Sequence, residues 1–419
     1  MKSLPFIIVL LFLFFHGCAP VAVDKRLERT GLSFPCAAGD VTTDEAVLWL
    51  RAERESSLSV HYGREPDLRM FSATRPIKVT EQTDFTAKVM INGLEPKTTY
   101  YYRGAVVGRK PGPICKFVTA PQADDPAAVQ FAFSGDTRES YQPFSIMDSI
   151  RAMRPDFFIH LGDTIYADRG GVASQLPDFW AKYRGNRNDL PTQRLFSETS
   201  LYVTWDDHEV SGNYDPGDPL APIGQRAFFD YWPIRQDPKD PERLYRSFRW
   251  GKAVELFILD TRQYRDISAG TILGREQKKW FLKALSSSSA WFKFVATSVP
   301  ISSRGIDKWG GYPVDREEVL SHIRRERIRG VIFLTADVHF AAVSKVPGGS
   351  GIKEFIVGPL ATQVNPWIRT AKRFEFFSND SFSYGLVKVH AGANPPYTEI
   401  SILDENNKLL HKTRIDILQ

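Results

Sequence analysis

Cysteine is scarce, with three residues in 419, and the first of them, Cys18, falls at the end of an N-terminal targeting segment. Only Cys36 and Cys115 are left for the mature chain, so one disulfide is the most it can form. A Cys36–Cys115 bond and two buried thiols both fit the sequence, and neither cysteine has a catalytic setting. Charge of one sign is missing too. The 54 Lys and Arg against 49 Asp and Glu leave a dispersed +5, which can favour anionic substrates but is too weak to argue nucleic-acid binding, so no nucleic acid is expected as a specific partner. The densest basic run, Arg324, Arg325, Arg327 and Arg329, shares an amphipathic helix with Glu317, Glu318 and Glu326 and reads as a solvated face. No apolar run is long enough to span a bilayer, and no internal repeat occurs.

What is present begins with Lys2, the apolar stretch Leu4 to Phe15, and Gly17-Cys18, the layout of a signal peptide over residues 1–18. Phe15-His16-Gly17-Cys18 is similar to a bacterial lipobox, so the expected location is the periplasm or cell envelope, with a lipid on Cys18 or with free secretion. Membrane contact would then come only through that lipid, and a monomer is expected. From residue 30 to 120, short β-rich runs such as Ala46 to Arg51, Ser57 to Gly63 and Thr98 to Arg103 follow one another without an amphipathic helix. That pattern predicts an all-β sandwich of fibronectin III or immunoglobulin type. A Pro, Ala and Asp-rich linker, Ala120 to Pro126, precedes alternating strands and helices over 127–419, the pattern of a layered α/β domain. Helices are predicted over Gln142 to Met153, Arg275 to Leu285 and Asp315 to Arg327.

Four strand-like runs in this second region each end in acids or a histidine: Ser134-Gly135-Asp136, Gly162-Asp163-Thr164-Ile165-Tyr166, Trp205-Asp206-Asp207-His208-Glu209 and Ala336-Asp337-Val338-His339. Ligands of open α/β sheets gather at the carboxyl ends of strands, so the four are expected in one crevice. Two cations a few ångströms apart need several hard anionic ligands and a bridging acid, and they serve phosphoryl transfer. Asp163 is the expected bridge. Tyr166 is placed to reach the same ion as a phenolate, which favours Fe(III). Asp207 suits a metal, and His208 suits a proton donor to the leaving oxygen or a hydrogen bond to the phosphoryl group. Asp337 and His339, read as alternating on a strand end, would serve different ions. Asp206 and Glu209 are expected to tether His208 and its loop. Arg138 suits either a substrate phosphate or a brace for Asp136, and His160 reads as a core histidine.

With those motifs in view, the chain resembles the PhoD-like alkaline phosphatase and phosphodiesterase family of the calcineurin-like metallophosphoesterases. The similarity extends through Ala38-Gly39-Asp40, Val47-Leu48-Trp49, Gly93-Leu94-Glu95-Pro96, Leu259-Asp260-Thr261-Arg262, Leu273-Gly274-Arg275-Glu276-Gln277 and Trp309 with Gly311-Tyr312-Pro313. The resemblance implies a four-layer α/β/β/α catalytic domain and two metal ions, Fe(III) paired with Ca(II) or another divalent ion. It implies Asp136, Asp163, Tyr166 and His339 around the first ion and Asp163, Asp207 and Asp337 around the second, with His208 assisting departure of the alcohol. The implied activity is exported hydrolysis of phosphate esters, with a metal-bound hydroxide attacking phosphorus in line. Two departures stand out: Asp136 where well-known members carry cysteine, and Ala336 where they carry glycine. They motivate the competing expectation of a non-catalytic envelope-binding protein on a degenerate scaffold.

Overall fold

Residues 24–368 and 372–417 are described by a computed structural model, so the targeting segment and Cys18 lie outside the described residues. Alternating burial in runs such as Thr99–Val106 produces strands with one face in a core and one in water. Ser56–Gly63, Ser72–Ala73, Ile77–Val79, Thr99–Val106 and Cys115–Val118 form a five-stranded sheet. It faces Ala37–Gly39, Glu45–Arg51 and Thr86–Asn92 across a core containing Leu48, Leu50, Val60, Tyr102 and Phe117. The corner expected at Gly93 to Pro96 is held by Tyr100, whose hydroxyl accepts from the Glu95 amide at 2.9 Å. Cys36 and Cys115 are free thiols buried in this same core.

The facing sheet does not stop at the sandwich. Ala37–Gly39 pairs in parallel with Ser200–Val203, Ala38 opposite Ser200 and Gly39 opposite Leu201. Three sandwich strands thereby extend a nine-stranded sheet that also holds Val129–Ser134, Phe157–His160, Ser383–His390, Tyr397–Asp404 and Leu409–Asp416. Gly39 makes the join: a Cβ there would stand 2.8 Å from the Leu201 carbonyl oxygen.

A seven-stranded sheet, with Val254–Ile258, Phe292–Ala296, Val331–Thr335 and Lys353–Ile356 parallel at its centre, packs on the first. The period of two divides the residues: Phe131, Phe133, Phe157 and Ile159 meet Phe294, Ile332 and Leu334 between the sheets, while Ala132 and Phe158 face outward. On that outer face pack α1 (Ser145–Ala152), α2 (Leu176–Arg187), α3 (Leu190–Phe196) and α4 (Ala221–Tyr231). The second sheet's outer face takes α5 (Gly274–Ser287) and α6 (Pro313–Arg325) through Phe281, Leu285, Val319, Leu320 and Ile323. The order helix, sheet, sheet, helix is the four-layer α/β/β/α arrangement. Helices α2 to α4 escaped the sequence reading. In α2 the reason is visible: its buried face includes Asn186 and Arg187, which break the apolar stripe, and Arg187 is accommodated by stacking on Trp49, Phe196 and Trp232. Among the described residues no helix is long and apolar enough to cross a membrane.

Candidate metal centre

Val129–Ser134, Phe157–His160 and Ser200–Val203 run parallel and in register, so the segments that follow them leave the sheet at one edge. Backbone bonds then stitch the turns together: the Asp136 amide donates to the Gly162 carbonyl at 3.1 Å and the Thr137 amide to the Asp163 carbonyl at 2.8 Å. Asp136 (φ 69°), Asp163 (φ 51°), Asp337 (φ 68°) and His339 (φ 58°) all adopt left-handed backbone. That conformation is uncommon outside glycine, and the turns that present these four candidate ligands all use it. It also corrects the alternation expected for Asp337 and His339. The strand ends at Thr335, and both residues sit in a turn.

Three sets of side chains have ligand atoms within 4.8 Å of one another: Asp136, Asp163 and His339; Asp163, Asp207 and His208; and Asp206, Asp207 and Asp337. Asp163 and Asp207 each belong to two sets, which joins the three into one elongated cluster. The Tyr166 hydroxyl lies 3.1 Å from His339 Nε2, and its ring stacks on His208 with centroids 4.2 Å apart. Arg138, half-buried, holds its guanidinium 6.0 Å over the Tyr166 ring and forms no ion pair with Asp136. His160 lies one layer back, 3.2 Å from the Thr137 hydroxyl, where burial lowers its pKa to about 3 and keeps it neutral.

The electrostatics are compatible with bound cations. Asp136 and Asp163 are buried, and burial followed by neighbouring carboxylates raises both pKa values well above the ordinary range. Tyr166 is raised by burial and then by Asp163 and Asp136. His339 is lowered to about 4, chiefly by burial, so its nitrogen is unprotonated at neutral pH and free to ligate. Asp136 Oδ2 is buried without a hydrogen-bond partner. An oxygen-rich set with an orphaned carboxylate oxygen, a phenol and an imidazole fits hard metal ions, which would offset the repulsion that the bare residues leave.

The supporting residues differ from expectation. Glu209 does not tether His208; it accepts from the amides of Asp163 at 3.2 Å, Thr164 at 2.5 Å and Asp206 at 2.8 Å, and so clamps the turn that presents Asp163. Asp206 is ion-paired with the buried Arg262 and accepts from Ser298 at 3.0 Å. His208 is held instead by Asp168, whose Oδ1 lies 2.7 Å from Nδ1. Asp168 was legible only as an acid two residues beyond Tyr166. The Asn213 amide donates to Asp207 Oδ2 at 2.5 Å. Lys308, also unanticipated, reaches Asp337 Oδ2 and lies 2.8 Å from Asp307.

Small residues let the turns approach. Gly162 has φ 108°, and a Cβ there would stand 2.8 Å from Asp206 Cβ, so both conformation and space demand glycine. Ala336 is accommodated because its neighbours lack side chains: a Cβ on Gly135 would lie 2.8 Å from the Ala336 methyl.

Comparison with known proteins gives the family and the fold. The family model described as PhoD-like phosphatase matches residues 130–379, and that of the PhoD-like phosphatase N-terminal domain matches residues 17–121. Alkaline phosphatase D of Bacillus subtilis (strain 168) is 28% identical over 402 residues, covering 79% of this chain and 68% of that protein. A solved structure of PhoD superposes with a TM-score of 0.80 at 21% identity, over 92% of this chain and 93% of that one. The purple acid phosphatase PPD1 from yellow lupin (Lupinus luteus) seeds superposes with a TM-score of 0.68 at 14% identity, over 93% and 76%. Both superpositions carry the fold.

Proposed function

Given that the chain belongs to the PhoD-like phosphatase family and is a metal-dependent phosphoesterase, we propose that it works as an exported hydrolase with a two-metal centre built on Asp163. The observation that carries the reading is the Asp163 carboxylate, common to two ligand sets and flanked by the orphaned Asp136 oxygen. In this reading Asp136, Tyr166 and His339 complete one site with Asp163, and Asp207 and Asp337 complete the other. Cations held by these residues would supply the charge to clamp a phosphoryl group and to lower the pKa of a water. His208 supplies the proton to the departing alcohol oxygen. Burial opposes its positive charge, but Asp168 and Asp207 outweigh burial and raise its pKa above the ordinary value. Because Asp168 engages Nδ1, the other ring nitrogen is left to face the leaving group. Arg138, above Tyr166, is the contact for a substrate phosphate oxygen.

Protein lacking its first 18 residues is expected to hydrolyse a nitrophenyl phosphodiester or monoester, to lose activity on chelation and to regain it with metal. No turnover of either ester under any metal regime overturns the reading. A phenolate on Fe(III) absorbs visible light, whereas Ca(II) and Zn(II) sites do not. Purified enzyme is therefore expected to be coloured and Tyr166→Phe to lose that band. A colourless active enzyme would assign the first site to another ion, with Ca(II) or another divalent ion proposed for the second. Export is supported by the signal-like first 18 residues, with the lipobox-like Cys18 offering a lipid anchor.

A further inference from the structure

The two proposed ion sites are unlike in what already occupies their oxygens. Among the described residues no lysine or arginine forms an ion pair with Asp136 or Asp163, and Asp136 Oδ1 has only His339 Nε2, at 4.0 Å, as an ion-pair partner. Around Asp206, Asp207 and Asp337 the chain supplies two cations of its own. Arg262, fully buried, pairs with Asp206 and lies 3.6 Å from Asp207 Oδ1. Lys308 places its ammonium on Asp337 Oδ2, with Asp307 Oδ2 at 2.8 Å on its other side. Its side chain is only 14% exposed, so the charge is largely withdrawn from water.

The two cations differ in how easily they can leave. Arg262 is locked into a buried network with Asp206. Lys308 carries its charge on a flexible four-carbon stem that reorients without backbone motion. Its backbone cannot swing away, because the adjacent Trp309 is fully buried, with Nε1 donating to Thr297 Oγ1 at 3.2 Å. An ion entering the second site must therefore displace an ammonium from Asp337, whereas an ion entering the first displaces no lysine or arginine, only protons and the Tyr166–His339 contact.

We propose that Lys308 is a built-in competitor for the second metal ion, holding Asp337 in the metal-free protein and making the two sites load in order, first Asp136–Asp163–His339 and then Asp207–Asp337. The inference rests on the two-site reading above. Breaking a buried ion pair to admit a ligand weakens that ligand's binding by the pair's own free energy, and removing the competitor restores it.

Chelated wild type, Lys308→Met and Lys308→Arg are titrated with Mn(II), following free ion by electron paramagnetic resonance and heat by calorimetry. Wild type is expected to bind in a tight and a weak step at least about tenfold apart, and Lys308→Met to tighten the weak step by at least about tenfold with the tight step unchanged. Lys308→Arg, which keeps the charge, is expected to keep the weak step. Uptake of one equivalent by wild type and two by Lys308→Met is the same result in its limit. Two equally tight steps in wild type overturn the inference without any variant, as does a weak step indifferent to Lys308→Met. Both of those leave the two-metal reading standing. A wild type that takes up no Mn(II) fails at the two-metal reading itself, and this inference falls with it. Melting of the chelated proteins adds a readout independent of turnover: Lys308→Met leaves Asp337 uncompensated, so it is expected to melt below wild type and to gain more from Mn(II).

Discussion

Asp163→Asn is expected to lower kcat/KM by at least about a thousandfold, equivalent to roughly 4 kcal/mol of transition-state stabilisation, and to strip the centre of metal. The size follows from position. Asp163 is common to two of the three ligand sets, so one neutral replacement weakens both proposed sites at once. The same substitution has an opposite effect on the chelated protein. Burial and the neighbouring acids raise the Asp163 pKa in the fold far above its unfolded value. A carboxylate so shifted favours folding below the unfolded pKa, and that contribution is lost as pH rises toward the folded value. At neutral pH the metal-free wild type therefore carries the cost of a buried, repelled acid that Asn does not carry. Chelated Asp163→Asn is expected to melt higher than chelated wild type and to gain little from added metal. Elemental analysis and paired melting curves check both halves, and a variant that keeps two equivalents of metal removes Asp163 from its shared role.

His208→Ala is expected to cut kcat by about a hundredfold to ten-thousandfold while the bound metal is retained, because general-acid assistance is worth that much and its loss leaves the carboxylate ligands in place. The leaving group provides the sharper test. Nitrophenolate departs with little help, whereas an alkyl alcohol leaves poorly without a proton. The loss should be much greater for an alkyl phosphate ester than for its nitrophenyl counterpart. Asp168→Asn is expected to show a weaker version of the same split, since it removes the negative charge beside Nδ1 that helps raise the His208 pKa. Equal losses for both leaving groups would assign His208 to ground-state binding of the phosphoryl group instead.

Much of this centre was legible in the chain because its acids stand in short, local patterns. Gly162-Asp163 and Gly135-Asp136 each follow an apolar run that can only be a buried strand, and an acid at such an end has few uses apart from a turn or a ligand. The layered fold was legible for a similar reason, since runs such as Phe131 to Phe133 and Phe157 to Ile159 alternate between two apolar surfaces. What stayed hidden were partners brought together by long loops. Lys308 and Asp337 are 29 positions apart, and Arg262 and Asp206 are 56 apart. Their side chains alone are those of ordinary surface ion pairs. Of the roles given to Asp206 and Glu209, bracing the loop holds for Glu209, which accepts from the Asp206 amide, while the tether on His208 falls to Asp168 for the same reason. The chain turns sharply after Thr204, and Glu209 points back at the amides of Asp163 and Thr164 while Asp168 arrives from another strand end.

The amino-acid order by itself determined which residues are able to ligate, which runs are strands, and the family to which the pattern is similar, because each of these depends on a few neighbouring residues and their periodicity. Only the tertiary structure decided that the sandwich continues the main sheet through Ala37–Gly39 and Ser200–Val203. It alone decided that Asp168 rather than Glu209 holds His208, and that an ammonium from Lys308 already rests on Asp337. Those outcomes depend on which distant segments meet, and that is set by the packing of the three sheets and six α-helices of the described residues rather than by any local run of residues.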